Sequence, residues 1–296
     1  MEMNDPKVNE RKLQFMAKSS NLQTKEFEEY LHNKVANMGY SFKLMYDVMG
    51  TEVPYFDTLQ YTEFAGGITM HPIQTEFRHQ QMIDAYYSKD TEVKIDFVTH
   101  FKKKVLQNKS NKYMNINQHQ HKAKQALIVL PGSNKLKDRM SFEKLKYIKK
   151  LFGDNVWVKP HPLTTFSVIG IVQDMFGERN VMQRQADLYS VLKDSEIIYT
   201  SMLSESALYG VCLDKKIEPI DLYGKIQIGS FYHINKFLFY EENPKQWINK
   251  TFNDYRSGMV FPEIDPDWKT KVDKYLEYIE DRRQKFWKVF LKENKK

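Results

Sequence analysis

The stretch that decides the fold is Ala126-Leu-Ile-Val-Leu130, closed by Pro131-Gly-Ser-Asn134. An unbroken apolar run of this length, ended by turn residues, is the pattern of a strand buried on both faces of a parallel sheet. The next hundred residues repeat the theme. Ser141 is placed to cap a helix that runs to Phe152 and stops at Gly153. Asn155 to Val158 reads as the next strand and leads into Lys159-Pro-His-Pro162. Thr165 to Phe176 reads as a helix ended by Gly177, Val181-Met182 as a short strand, and Asp187 as the cap of a helix through Leu192. Glu196 to Tyr199 is a strand, Thr200 to Gly210 a turn and helix, and Ile217 to Leu222 the last strand. Strand and helix in strict alternation specify an α/β fold whose C-terminal half is a doubly wound parallel sheet.

In such sheets ligands bind beyond the carboxyl ends of the strands. Three loops leave strand ends here: Pro131–Lys135, Lys159–Pro162 and Thr200–Glu205. Lys159 and His161 suit a phosphate oxygen, one as a compact cation and the other as a donor that charges near neutral pH. Pro160 and Pro162 hold the backbone extended around them. Ser201, Ser204 and Glu205 stand where a strand turns into a helix, and small hydroxyl residues there both cap the helix and leave N–H groups open to an anion. Gly132 and Ser133 allow close backbone approach to a ligand.

Upstream the pattern is looser. Glu26 to Gly39 reads as a helix with Phe27, Tyr30, Leu31, Val35 and Met38 on one face, and Phe42 to Tyr46 as a short strand. Residues 50–75 read as irregular, Phe77 to Tyr87 as helical, and Val93 to Val98 as an alternating strand. Residues 102–125 lack apolar periodicity and read as a basic linker, which sets the domain boundary. The expected division is 1–122, 123–265, and a long C-terminal helix over 266–296 whose apolar positions include Val272, Tyr275, Leu276, Ile279 and Phe286.

The chain has 296 residues, 41% of them hydrophobic, and a net charge of +7, enough to bury a substantial core. A single Cys, Cys212, excludes an internal disulfide framework and a Cys-rich zinc site. The His119/His121 pair has no acid or Cys nearby, so no metal dependence is expected. The longest charge-free candidate for a membrane span, Leu163 to Gln173, is about half the ~20 residues such a span needs. With a polar start and no apolar run behind it, the chain is expected to be soluble and cytoplasmic, without integral membrane association.

The charge is uneven. Residues 101–150 hold 14 Lys/Arg against Asp138 and Glu143, a local +12 that leaves the rest of the chain at 7 minus 12, or −5. Lys102, Lys103, Lys104, Lys109, Lys112, Lys122 and Lys124 form its leading part and are candidates for contact with nucleic acid or another polyanion.

The order of an apolar strand with Pro131-Gly-Ser133, a strand with Lys159-Pro-His-Pro162, and a strand with Tyr199-Thr-Ser-Met-Leu-Ser-Glu205 resembles the donor half of two-domain glycosyltransferases of the GT-B fold. The likeness is particularly to bacterial sialyl-, polysialyl- and Kdo-transferases and to the glycerophosphotransferases of teichoic acid synthesis, and it covers residues 126–222. It implies two Rossmann-like domains: residues 1–122 on the acceptor side and 123–265 binding a nucleotide-sugar, CMP- or UDP-linked with CMP favoured. His161, Ser201 and Ser204 would then hold the donor phosphate, with Glu205 near the ribose or sugar. The resemblance also places a proton acceptor in the first domain, where Asp57 and Glu63 flank an aromatic segment beside Gly66-Gly67. The implied activity is metal-independent sugar transfer to a hydroxyl of an anionic acceptor. The basic block favours hydroxymethylated bases of phage DNA, with capsule, lipopolysaccharide or teichoic acid as the alternative. A reading from another class is a nucleic-acid-binding protein that keeps a nucleotide-binding fold without catalysis.

Overall fold

A computed structural model describes residues 22–38, 43–46, 58–72, 74–107, 122–131, 140–162, 164–221 and 231–293. In chain order it begins with α1 (Leu22–Asn37), β1 (Lys43–Tyr46), β2 (Thr58–Phe64), β3 (Gly67–Pro72), α2 (Thr75–Tyr87) and α3 (Phe97–Leu106). The alternating part is β4 (Ala126–Val129), α4 (Phe142–Phe152), β5 (Val156–Lys159), α5 (Phe166–Phe176), α6 (Leu188–Asp194), β6 (Ile197–Thr200), α7 (Ser206–Cys212) and β7 (Lys216–Pro219). It closes with α8 (Tyr232–Tyr240), α9 (Pro244–Asn253), β8 (Met259–Val260) and α10 (Trp268–Glu293).

The chain divides into two compact units. One takes the residues up to Ser88 together with Asp254 onward; the other takes most of what lies between, through Asn253. Helix α3 therefore belongs with the second unit.

The first unit carries a mixed sheet in the order β1-β2-β3-β8. Strands β1 and β2 are parallel, while β2–β3 and β3–β8 are antiparallel. It is thus not a second doubly wound sheet, as the family likeness implies it should be. Nor are residues 58–72 irregular. Ala65 and Gly66 both take positive φ, 56° and 88°, and these two residues close a tight hairpin. Gly66 is half of that turn and Gly67 is the first residue of β3, so the pair is not a loose loop. The buried faces of β2 and β3 (Leu59, Tyr61, Ile68, Met70) pack against Phe27, Leu31 and Val35 of α1 and against Val272, Tyr275, Leu276 and Ile279 of α10. The Met70 carbonyl accepts from Gln81 Nε2 at 3.0 Å and from the Tyr275 hydroxyl at 2.9 Å. Its amide donates to the Gly258 carbonyl at 2.8 Å.

The second unit holds a parallel sheet in the order β5-β4-β6-β7. Val181 adds an isolated parallel bridge to Val158, so the predicted short strand exists as one residue pair at the outer side of β5. With it, the spatial order of the chain segments is third, second, first, fourth, fifth, the doubly wound arrangement. Ala126, Ile128, Leu130, Val156, Val158 and Tyr199 face α4 and α5 on one side. On the other side lies α7, so close that a Cβ on Gly210 would meet Ile217 Cγ2 at 2.6 Å and Ile198 Cδ1 at 3.1 Å. Phe97 and Phe101 of α3 meet Phe252 edge-to-face, and Phe101 meets Tyr209 in the same way. The expected strand at Val93–Val98 is instead the entry to α3. Asp96 caps it by accepting from Thr99 N at 3.1 Å, and that local bond outweighs a short alternation of apolar residues. Asn253, at the far end of the unit, accepts from the amides of Lys94 and Ile95 and returns a bond to the Ile95 carbonyl at 2.8 Å.

Gly258 has φ +68°, and a Cβ there would lie 2.1 Å from the Met70 carbonyl oxygen. Gly258→Ala is expected to destabilise the first unit by roughly 2 kcal/mol or more, read as a lower melting temperature by circular dichroism. A midpoint within error of the parent would refute this.

Candidate functional site

The strand register builds the site. Val129 pairs with Lys159 on one side and with Thr200 on the other, and Thr200 pairs with Pro219. Lys159, Val129, Thr200 and Pro219 therefore form one row across the carboxyl edge of the sheet, and each chain leaves this row into a loop. The direction of winding reverses between β4 and β6, the place where doubly wound sheets bind ligands.

On β5 the row leads to Lys159, which is only 4% exposed. Its Nζ donates to the Pro160 carbonyl at 2.6 Å and to the Arg184 carbonyl at 2.8 Å. Burial pushes this ammonium down to about 8, against the opposing pull of Asp187. The cation thus ties the loop after β5 to the segment before α6. His161 is half-buried, and its carbonyl accepts from Thr164 N at 2.9 Å.

Beyond β6 the hydroxyls and backbone are tightly held. Ser201 Oγ donates to Asp221 Oδ1 at 2.7 Å, and the Met202 amide donates to Asp221 Oδ2 at 2.6 Å. Asn235 donates through Nδ2 to the carbonyls of Met202 at 2.7 Å and Ser204 at 3.0 Å. Thr200 Oγ1 and Ser206 Oγ lie 2.6 Å apart, and Ser206 Oγ and Ser204 Oγ 2.7 Å apart, a chain of three hydroxyls at the start of α7. Glu205, half-buried, precedes that helix and makes no side-chain cap bond. The carboxylate of Asp221 therefore occupies the donors Ser201 Oγ and Met202 N.

Sequence reasoning missed Asp221 and Asn235. Asp221 follows Ile220 directly at the end of β7, inside a stretch read only as strand. Its position in the row of strand ends is the signal that would have found it.

The structure brings Lys159, His161, Ser201, Ser204 and Glu205 to loops leaving one sheet edge. Gly132, Ser133 and Asp57 lie outside the described residues. Glu63 belongs to the other unit, in β2 opposite Ile68, and is half-buried in the hairpin rather than in an irregular segment.

The basic block is partly engaged within the protein. Lys102 pairs with Asp214 at 3.2 Å, Lys144 with Glu218 at 2.7 Å, and Lys149 with Asp154 at 3.1 Å. Lys124 sits 3.8 Å over the Trp157 ring and donates to Asn180 Oδ1 at 2.5 Å. Burial holds its ammonium below the usual lysine range. Lys103 and Lys122 are exposed and Lys104 is half-buried. Lys109 and Lys112, like His119 and His121, lie outside the described residues.

Burial pushes the Cys212 thiol up to about 12, so it keeps its proton and is no nucleophile at neutral pH. Among the described residues, no group of three or more His, Cys, Asp or Glu side chains could hold a metal ion, and no helix is long and apolar enough to cross a membrane.

No protein-family model matches the chain, and no curated protein does. Several solved structures share a distant likeness, among them two that follow. One is the Thermosulfurimonas dismutans KpsC beta Kdo 2,4 transferase, 13% identical, with a TM-score of 0.44, over 71% of this chain and 79% of that one. The other is the beta Kdo 2,7 transferase of the same KpsC, 10% identical, with a TM-score of 0.40, over 81% of this chain and 86% of that one.

The Lys159 ammonium yields a pH prediction. Its folded pKa, about 8, lies below the ordinary lysine value of 10.5, so between these values the unfolded chain binds more protons than the folded one. Stability contributed at this site therefore rises as pH climbs from about 8 toward 10.5. Lys159→Met is expected to lack that rise, so its stability relative to the parent falls with pH in urea titrations at pH 7 and 10. Parallel curves for the two proteins would exclude the assignment.

Proposed function

We propose that the chain is a glycosyltransferase that takes a sugar from a nucleotide-activated donor, CMP-linked in preference to UDP-linked, and passes it to a hydroxyl of an anionic acceptor. The observation that carries this reading is the row Lys159–Val129–Thr200–Pro219, which delivers the Lys-Pro-His-Pro and Thr-Ser-Met-Leu-Ser-Glu loops to one edge at the reversal of winding. In this reading His161 and the N–H groups opening α5 receive the donor phosphate, stabilising charge as it develops on the leaving group. Lys159 sets the loop and adds a buried positive charge beneath it. Ser201 and Ser204 contribute once the Asp221 carboxylate yields Ser201 and Met202 to the ligand; Glu205 lies toward the sugar. Asp57 and Glu63 are the proposed proton acceptors, and the residues named require no metal.

For the acceptor, a capsule, lipopolysaccharide or teichoic acid type of polymer is favoured over hydroxymethylated DNA. The DNA reading draws on the 101–150 block, and Lys102, Lys124, Lys144 and Lys149 there are engaged by partners in the protein itself.

The test is a thermal-shift panel with CMP, UDP, GDP and ADP on the parent and on His161→Ala, since a ligand of the native state raises the melting temperature by mass action. A rise with one nucleotide, lost in the variant, is the expected result. No rise with any nucleotide, alongside a strong rise with duplex DNA, sinks the transferase reading and favours a non-catalytic nucleic-acid-binding protein.

A further inference from the structure

Phe166 is the first residue of α5 and, at 75%, the most exposed large hydrophobic side chain among the described residues. A single exposed ring is ordinary; this one is not alone. The Arg184 guanidinium lies 4.3 Å from its centroid, and Arg184 Nη1 reaches the Thr164 carbonyl at 3.4 Å. The Arg184 carbonyl in turn receives Lys159 Nζ, so the pair is anchored to the strand-end row. A cation on one side and high exposure overall leave the ring an open flat surface.

The start of the helix beneath this ring lacks an internal anion. Thr165 stands at the N-cap without a side-chain cap bond, because its Oγ1 lies 3.2 Å from Ser167 Oγ, and the first turn holds no acidic residue. One residue earlier, Thr164 is fully buried and its Oγ1 has no hydrogen-bond partner. The ring and the open N–H groups thus lie within about one helical turn, ~5.4 Å, a separation comparable to that between a base and its phosphate.

We infer that Phe166, backed by Arg184, is the stacking platform for the nucleobase of the donor, with the phosphate received at the start of α5. This rests on the proposed nucleotide-sugar reading and names the residues that hold the base. Stacking tolerates any base, because each has a π-face. Arg184 adds cation–π attraction behind the ring. Choice among nucleotides therefore falls to other groups.

The experiment measures the affinity of CMP, UDP, GDP and ADP by isothermal titration for the parent, Phe166→Ala, Phe166→Trp and His161→Ala. For the tightest-binding nucleotide, Phe166→Ala is expected to weaken binding roughly 10-fold, with an unchanged melting temperature because the ring is exposed. Phe166→Trp is expected to retain the affinity. Unchanged binding in Phe166→Ala, or equal loss in Phe166→Ala and Phe166→Trp, overturns the platform. If His161→Ala alone loses binding, the donor-site reading stands and the platform falls. If the parent binds none of the four, both fall together.

Discussion

Parallel pairing places every carboxyl end of a sheet on the same edge, and the second unit depends on that constraint. Antiparallel strands would scatter their exits over two edges. Here Lys159, Val129, Thr200 and Pro219 are held level by ladders running through β4 and β6, so four loops emerge side by side. The short strands, four residues each, suffice because helices cover both faces and exclude water from the ladder. Asp221 then links two of these exits, gripping Ser201 and Met202 from the end of β7.

Legibility differed between the halves for a physical reason. A buried parallel strand must be apolar throughout, so Ala126 to Leu130 announces itself, and Ser141, Gly153 and Gly177 mark helix ends where the structure has them. The hairpin of β2 and β3 was obscure because its residues include buried polar ones: Thr58, Gln60, Thr62, Thr69 and His71 are all nearly inaccessible. Gln60 there meets Arg78 at 3.1 Å, a partner eighteen residues away that no local pattern reveals. Val93 to Val98 misled because alternation over six residues also fits the run-up to a helix.

Within the candidate site, residue types were readable and their engagements were not. Lys159 looked like a cation for ligand, yet its Nζ is held by two backbone carbonyls. The lysine-rich stretch looked like a footprint for a polyanion. Asp214, Glu218 and Asp154, three acids distant in sequence, take up part of that charge. Composition counts charges; only the fold decides which of them meet one another.

The two units are not consecutive along the chain, and this orders their assembly. The parallel-sheet unit lies between residues 89 and 253, and Asn253 fastens its last helix to Lys94 and Ile95 near its beginning. It is closed on itself as soon as that residue is made. The mixed-sheet unit must wait, because β8 and α10 complete its core and are the last elements described. On a ribosome the later-starting unit has all its residues first, while Leu59, Ile68 and Met70 of the earlier one still lack the cover that Val260 and α10 give them. That interval is when the chain is most exposed to chaperones and to aggregation.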